Sequence, residues 1–281
     1  MGAEEQRNQY ESVRSGRILQ SDVGMSEDLR PSPKYKPVSL FVTCIVDMMF
    51  PQTGISVVEI LDHLGIEVRF PLNQTCCGQM AFNSGFQADA RTVAKQFLTA
   101  FADAEVIVSP SGSCTSMIRE FYVELFKDDP EWYERALWAA NITWEFTEYL
   151  VDGLGITDIG AQVEETKVAL HHACHGYRML NLTHQASDLL EGIEGITLTA
   201  LNGADQCCGF GGLFSVKMPE ISGAMLRDKV TNINQADADV ICTGDCSCMM
   251  QMNGGLTRSE STKRVMHVAD LLAKGLKKQD E

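Results

Sequence analysis

The chain has 281 residues, 44% of them apolar, and 38 acidic against 23 basic side chains leave a formal charge of -15. That length suits two domains of roughly 100 to 150 residues, while the charge disfavours nucleic-acid binding, which needs clustered Lys and Arg to neutralise phosphate. Ten cysteines with no N-terminal apolar segment predict a reducing, cytoplasmic setting, not secretion or a disulfide scaffold.

Residues 1–36 are polar and mixed in charge, end in Arg30-Pro31-Ser32-Pro33, and read as a mobile extension. Val38 to Ile45 is a continuous apolar run with β-branched residues, the pattern of a strand covered on both faces, with Cys44 at its C-terminal end. The longest nearly apolar stretch, Val38 to Phe50, is broken by Asp47 and is too short to span a bilayer, so no transmembrane segment is predicted and only peripheral membrane association stays open. Gly54 to Leu64 places Val57, Val58, Leu61 and Leu64 on one helical face, and Glu67 to Phe70 begins a second strand that delivers Cys76 and Cys77. A helix follows from Phe86 to Phe101, then a strand from Val106 to Ser109, which Pro110-Ser111-Gly112 turns into the loop carrying Cys114. The order then recurs. Lys167 to His172 is the strand before Cys174, Ile196 to Leu201 precedes Cys207 and Cys208, Met218 to Ile233 is the helix, and Val240 to Thr243 leads to Cys248. Trp144 to Leu154 and Met266 to Leu276 read as amphipathic helices closing each half.

The recurrence extends beyond the cysteines. Asp103-Ala104-Glu105-Val106-Ile107 aligns without a gap on Asp237-Ala238-Asp239-Val240-Ile241, which sets Cys114 opposite Cys248, Val108 opposite Cys242 and Gly112 opposite Cys246. Cys44 and Cys174 are 130 positions apart, and Cys77 and Cys208 are 131 apart. The expectation is an α/β fold of two lobes with mainly parallel sheets, related by a pseudo-twofold from internal duplication. The domains expected are 37–155 and 156–281, each with its cysteines at the C-terminal strand edge where open sheets bind ligands.

Adjacent cysteines do not easily share a disulfide, whereas both can turn sulfur toward one metal centre. Cys44, Cys76, Cys77 and Cys114 form one candidate set, and Cys174, Cys207, Cys208 and Cys248 a second, with Cys246 auxiliary to it. Cys242, opposite a strand valine, is expected to pack as a small apolar residue. Four thiolates suit zinc or an iron–sulfur cluster. Structural zinc commonly uses two compact knuckles, while here three separate loops contribute, one with a vicinal pair, which favours a cluster. Gly78 and Gly209 leave room for a tight turn whose amides can point at sulfur, a lever on cluster potential.

With these residues the chain resembles the cysteine-rich CCG family, which includes the cysteine-rich component of heterodisulfide reductase and iron–sulfur components of glycolate and glycerol-3-phosphate oxidation systems. The segments Phe41-Val42-Thr43-Cys44, Gln74-Thr75-Cys76-Cys77-Gly78-Gln79, Ala81-Phe82-Asn83-Ser84-Gly85 and Pro110-Ser111-Gly112-Ser113-Cys114 are most similar to its lactate-utilisation branch. The resemblance covers about residues 37 to 278. It implies clusters of the 4Fe-4S type, with a noncubane form open, and electron relay in a multi-subunit oxidation of L-lactate to pyruvate. The implied partners are a ferredoxin-type iron–sulfur subunit and a third subunit. The heterodisulfide reductase pattern ends in C-x-x-C and offers five thiolates. Here Cys114-Thr115-Ser116-Met117 leaves four in the first half, and Cys246-Ser247-Cys248 restores five in the second with altered spacing. Thiol–disulfide reduction and a zinc-stabilised interaction module are the competing readings.

Other signals are weaker. His171, His172 and His175 flank Cys174 and could ligate metal, hydrogen-bond a cluster sulfur or serve structure alone. Gly209-Phe210-Gly211-Gly212 lacks the order of a dinucleotide fingerprint. Arg178 could pair with a carboxylate substrate, and Met48, Met49, Met249, Met250 and Met252 are expected to fill core gaps.

Overall fold

The computed structural model describes residues 30–277. Most of the polar extension expected over 1–36 lies outside them. Two parallel four-stranded sheets form the frame, with strand orders β2-β1-β3-β4 and β6-β5-β7-β8. The first contains β1 (Val38–Leu40), β2 (Val68–Arg69), β3 (Val106–Ser109) and β4 (Thr143–Glu145), and the second β5 (Gln162–His171), β6 (Glu194–Thr199), β7 (Val240–Thr243) and β8 (Arg264–His267). Their registers superimpose: Val38 pairs with Val106 as Val168 pairs with Val240, and Leu40 with Val108 as Leu170 with Cys242. The duplicated α/β architecture is therefore present strand for strand, and in each half the order reverses between the two central strands, opening a crevice at their C-terminal ends.

The helices alternate with the strands. In the first half they are α1 (Cys44–Met49), α2 (Pro51–His63), α3 (Gln79–Asn83), α4 (Gln87–Ala100), α5 (Gly112–Ser116), α6 (Tyr122–Leu125), α7 (Pro130–Ile142) and α8 (Phe146–Glu148). In the second they are α9 (Cys174–Met179), α10 (Gln185–Glu191), α11 (Phe214–Lys217), α12 (Pro219–Gln235), α13 (Cys246–Arg258) and α14 (Val268–Lys277). Wider helical turns over Met117–Phe121 and Tyr149–Leu154 extend α5 and α8.

Several local expectations shift. The first strand stops at Leu40 instead of running to Ile45: Phe41 N makes the last ladder bond to Val108 O, and the Gln74 side chain then takes Val42 N (2.9 Å) and Leu40 O (3.2 Å). That side chain substitutes for a neighbouring strand and frees the chain to turn into α1. Cys44 and Cys114 consequently sit in first turns of helices, not at a strand end and in a loop. The closing segments Trp144 to Leu154 and Met266 to Leu276 each begin with an edge strand, β4 and β8, before turning helical. Short edge strands carry little local signal, since pairing with a neighbour decides them. Met48 and Met49 project from the surface, unlike Met249 and Met252, which are buried as expected.

The cores interlock. One apolar cluster lies within the first half around Phe41, Phe97, Phe101 and Tyr122. Another fills the second half but admits Val46 of α1. The largest joins both halves, packing Val57, Ile60 and Leu61 of α2 and the β1 and β3 valines with Val268, Leu271 and Leu272 of α14. A buried ion cluster pins the edge of the first sheet: Glu148 receives Arg119 and Arg30 at 2.8 Å each, and Arg30 lies 3.5 Å over the Trp144 ring.

Candidate metal centre

Each half delivers its cysteines by the same local devices. Cys44 and Cys174 open α1 and α9, where the unpaired amides of a first turn favour negative charge. Cys114 and Cys248 are the third residues of α5 and α13, whose first turns are capped by Ser111 and Asp245. The vicinal pairs hang from loops that Gly78 and Gly209 turn with φ of +81° and +88°. At Gly209 nothing larger fits, because a Cβ would lie 2.6 Å from Ser222 O. The left-handed turns aim both glycine amides back at sulfur, Gly78 N to Cys76 Sγ and Gly209 N to Cys207 Sγ, each at 3.4 Å.

Within the first set Cys44 Sγ is 3.6 Å from Cys76 Sγ, and Cys77 Sγ is 3.3 Å from Cys114 Sγ. In the second, Cys208 Sγ is 3.4 Å from Cys248 Sγ. These are thiol contacts well beyond the ~2.05 Å of a disulfide. All ten cysteines are free.

Both sets face the same space. A cavity of about 160 Å³ is lined by Cys44, Cys76, Cys77 and Cys114 from one half and Cys174, Cys207, Cys208 and Cys248 from the other. The halves meet there because their repeat-equivalent turns touch across the pseudo-twofold. Ser111 bridges Asp245 in antiparallel fashion, Asp245 Oδ2 accepts from Ser111 Oγ (3.1 Å) and Ser113 N (2.9 Å), and Oδ1 accepts from Ser247 N (3.0 Å). Burial pushes the Asp245 carboxyl up, but these hydrogen bonds outweigh it and hold it ionised. A Cβ on Gly112 would stand 3.0 Å from Gly176 Cα, so the close approach of α5 to α9 depends on glycine.

The remaining candidates fall as follows. Cys246 also lines the cavity, and its thiol meets Thr53 and feels the charge of Cys114, both in the first half; burial pushes it up. Cys242 takes no part: it is fully buried in the core shared by the halves, and burial raises its thiol to about 12. His175 Nδ1 is 3.7 Å from Cys174 Sγ, while His172 tilts against Tyr177 at 5.0 Å. Arg178 donates to Asp205 O (3.0 Å). His171 is buried, and one of its ring nitrogens lies within 4.8 Å of the sulfurs of Cys208 and Cys248.

Sequence reasoning missed Lys229, Asp245 and Gln74. Lys229 was detectable, because it occupies the buried face of α12 with Val230 and Ile233. Asp245 and Gln74 act through contacts 132 and 34 positions away, beyond any local pattern.

The donor set suits a soft metal centre. In each half one thiol is acidic: hydrogen bonds from Cys44, Cys77 and the Gly78 amide push Cys76 down to about 3, and Cys174, Cys208 and the Gly209 amide push Cys207 down to about 2. Their neighbours Cys44, Cys174 and Cys208 are pushed up by those same shared protons and by burial, and Cys77 first by its hydrogen bond with Cys114, then by that with Cys76 and by burial. Each set is thus a thiolate held among thiols, ready to lose its remaining protons to a bound cation. The residues fit a thiolate-held metal or iron–sulfur group by sulfur count, convergence and amide donors.

The profile of the CCG cysteine-rich domain matches residues 38–119 and 168–253, one match in each half. Lactate utilization protein A of Bacillus velezensis is 47% identical over 235 residues, covering 84% of this chain and 98% of that protein. Lactate utilization protein A 2 of Bacillus cereus strain 03BB102 is 46% identical over 241 residues, covering 86% and 99%. A solved structure of a hypothetical protein from Helicobacter pylori shares the fold at a TM-score of 0.53 and 10% identity; 95% of this chain spans about half of that one (54%). No helix among the described residues is long and apolar enough to cross a membrane.

Proposed function

We propose that this chain, which belongs to the CCG cysteine-rich domain family, is an iron–sulfur redox subunit of a multi-subunit system that oxidises L-lactate to pyruvate. The observation that carries this reading is the convergence of two four-cysteine sets on one cavity. Its relatives, matched over nearly their whole length, are named for lactate utilization. Cys44, Cys76, Cys77 and Cys114 would hold one 4Fe-4S-type group and Cys174, Cys207, Cys208 and Cys248 a second, with Cys246 an auxiliary thiol in the shared wall. Bound, such groups supply one-electron storage. The chain's own residues tune them: the Gly78 and Gly209 amides stabilise charge on sulfur, and the buried walls keep water from Cys77, Cys114, Cys208 and Cys248.

Hydride removal from lactate needs a cofactor positioned against the substrate, and this chain carries no flavin or nicotinamide fingerprint. We assign that step to partners, a ferredoxin-type iron–sulfur subunit and a third subunit. Anaerobic iron and acid-labile sulfide quantification tests the first half of the reading; zinc without iron or sulfide would replace it with a zinc-stabilised interaction module. Lactate-dependent dye reduction tests the second, with little expected from the loaded chain alone and clear activity from the reconstituted complex. Robust disulfide reduction by the chain alone, with growth on lactate unimpaired by its deletion, would favour a heterodisulfide-type enzyme.

A further inference from the structure

Among the differences between the two cysteine sets is one buried pair of neighbours. Sheet register makes Phe41 and His171 equivalent, each one residue beyond the matched leucines Leu40 and Leu170. In the first half Phe41 packs its ring edge-on against Phe97 of α4, with centroids 4.9 Å apart, and both are fully buried in the core cluster that includes Cys77 and Cys114. In the second half His171 meets Lys229 of α12, with Nδ1 and Nζ 3.3 Å apart, and each is only 1% exposed. An apolar aromatic pair thus backs one set and a cation–imidazole pair the other.

A lysine ammonium has donors only. Lys229 gives one to Gly203 O and one to His171 Nδ1, which assigns the ring hydrogen to Nε2. Nε2 is buried with no hydrogen bond of normal geometry among the described residues. Burial pushes the Lys229 ammonium down, while the charges of Cys208, Cys248, Asp205 and Cys207 around it favour the cation. Asp245, a buried carboxylate at the crossing of the halves, is bonded to Ser111 and Ser113 of one and Ser247 of the other, and its charge pushes the Cys174 thiol up, so in the second set the Lys229 cation acts against it.

We propose that Lys229 and His171 are a tuning pair that makes the second-half redox group the more easily reduced of the two, so that an electron entering the chain comes to rest there. A cation bonded to the imidazole that lies within 4.8 Å of the Cys208 and Cys248 sulfurs stabilises the added negative charge of the reduced state, and low-dielectric burial strengthens the effect. Phe41 and Phe97 supply neither. This rests on the iron–sulfur reading above and gives the duplicated halves distinct roles.

The test is a mediated redox titration of the anaerobic, iron-loaded chain followed by electron paramagnetic resonance, comparing wild type with Lys229→Met, Lys229→Arg and His171→Phe. Iron and sulfide content measured first on wild type separates the two levels: none there ends the iron–sulfur reading, whereas a loaded protein puts this proposal alone at stake. Two unequal potentials are expected in wild type. Lys229→Met and His171→Phe should lower the higher one toward the other, with iron content held, and Lys229→Arg should keep it. Equal potentials in wild type, or an unshifted higher potential in Lys229→Met, would overturn the proposal. So would loss of iron from both Lys229→Met and His171→Phe, because the pair would then be holding the site together instead of tuning it.

Discussion

Cys242 and Cys208 offer the sharpest separation of ligand from core, since both are cysteines of the second half and both are buried. Cys242 lies in β7 facing the apolar core that joins the two halves, with its thiol pushed up to about 12 by burial. Exchanging it for serine leaves a hydroxyl in an apolar shell, at a cost of ~1–3 kcal/mol if it finds no partner. For a protein of this size each kcal/mol lowers the melting temperature by about 2–4 °C, so Cys242→Ser should melt several degrees lower with its iron, sulfide and visible spectrum intact. Cys208 Sγ lies 3.4 Å from Cys248 Sγ on the cavity wall. Cys208→Ser should lose the second-half group, about half the iron if both sets are loaded, and leave the first-half signal in place. The assay is anaerobic iron and sulfide quantification beside calorimetry on the same samples. Full iron in Cys208→Ser, or iron lost in Cys242→Ser at an unchanged melting temperature, would falsify the separation.

Three further outcomes are expected. Gly209→Ala meets both a φ of +88° and a Cβ 2.6 Å from Ser222 O; it should cost upward of ~1–2 kcal/mol from the left-handed conformation alone and reduce iron in the second half, whereas wild-type iron and stability would show that the loop tolerates a side chain. Arg119→Met leaves the buried Glu148 carboxylate, which burial pushes up but the Arg119 and Arg30 charges hold below its usual range, with Arg30 as its remaining partner; the loss should stay below the about 3–5 kcal/mol of fully unpairing a buried ion, read by urea unfolding at neutral pH, and an unchanged stability would refute the pairing. Glu145 is the converse case, raised to about 8 chiefly by burial. The folded state keeps a proton that the unfolded state releases near pH 4, so this group's contribution is full below about pH 4 and is lost as pH rises toward 8. Glu145→Gln should therefore gain on wild type between pH 5 and 8 in denaturant midpoints, and parallel pH profiles for the two proteins would contradict the assignment.

The duplication, both four-cysteine sets and the apolar fate of Cys242 were legible in the chain, because each is a matter of local pattern or spacing. The strands Val106–Ser109 and Val240–Thr243 match their expected bounds, being apolar runs enclosed by turn residues. Edge strands Thr143–Glu145 and Arg264–His267 were not legible, for each is three or four residues long and is defined by the neighbour it pairs with. Nor could spacing show that the two sets share one cavity. That depends on Ser111 meeting Asp245 and Gly112 meeting Gly176 across the pseudo-twofold, contacts between residues 134 and 64 positions apart. The same holds for the placement of Cys246 beside Thr53 and of Lys229 on His171. Periodicity reports which face of an element is buried; only the packing of the elements decides what that face is buried against.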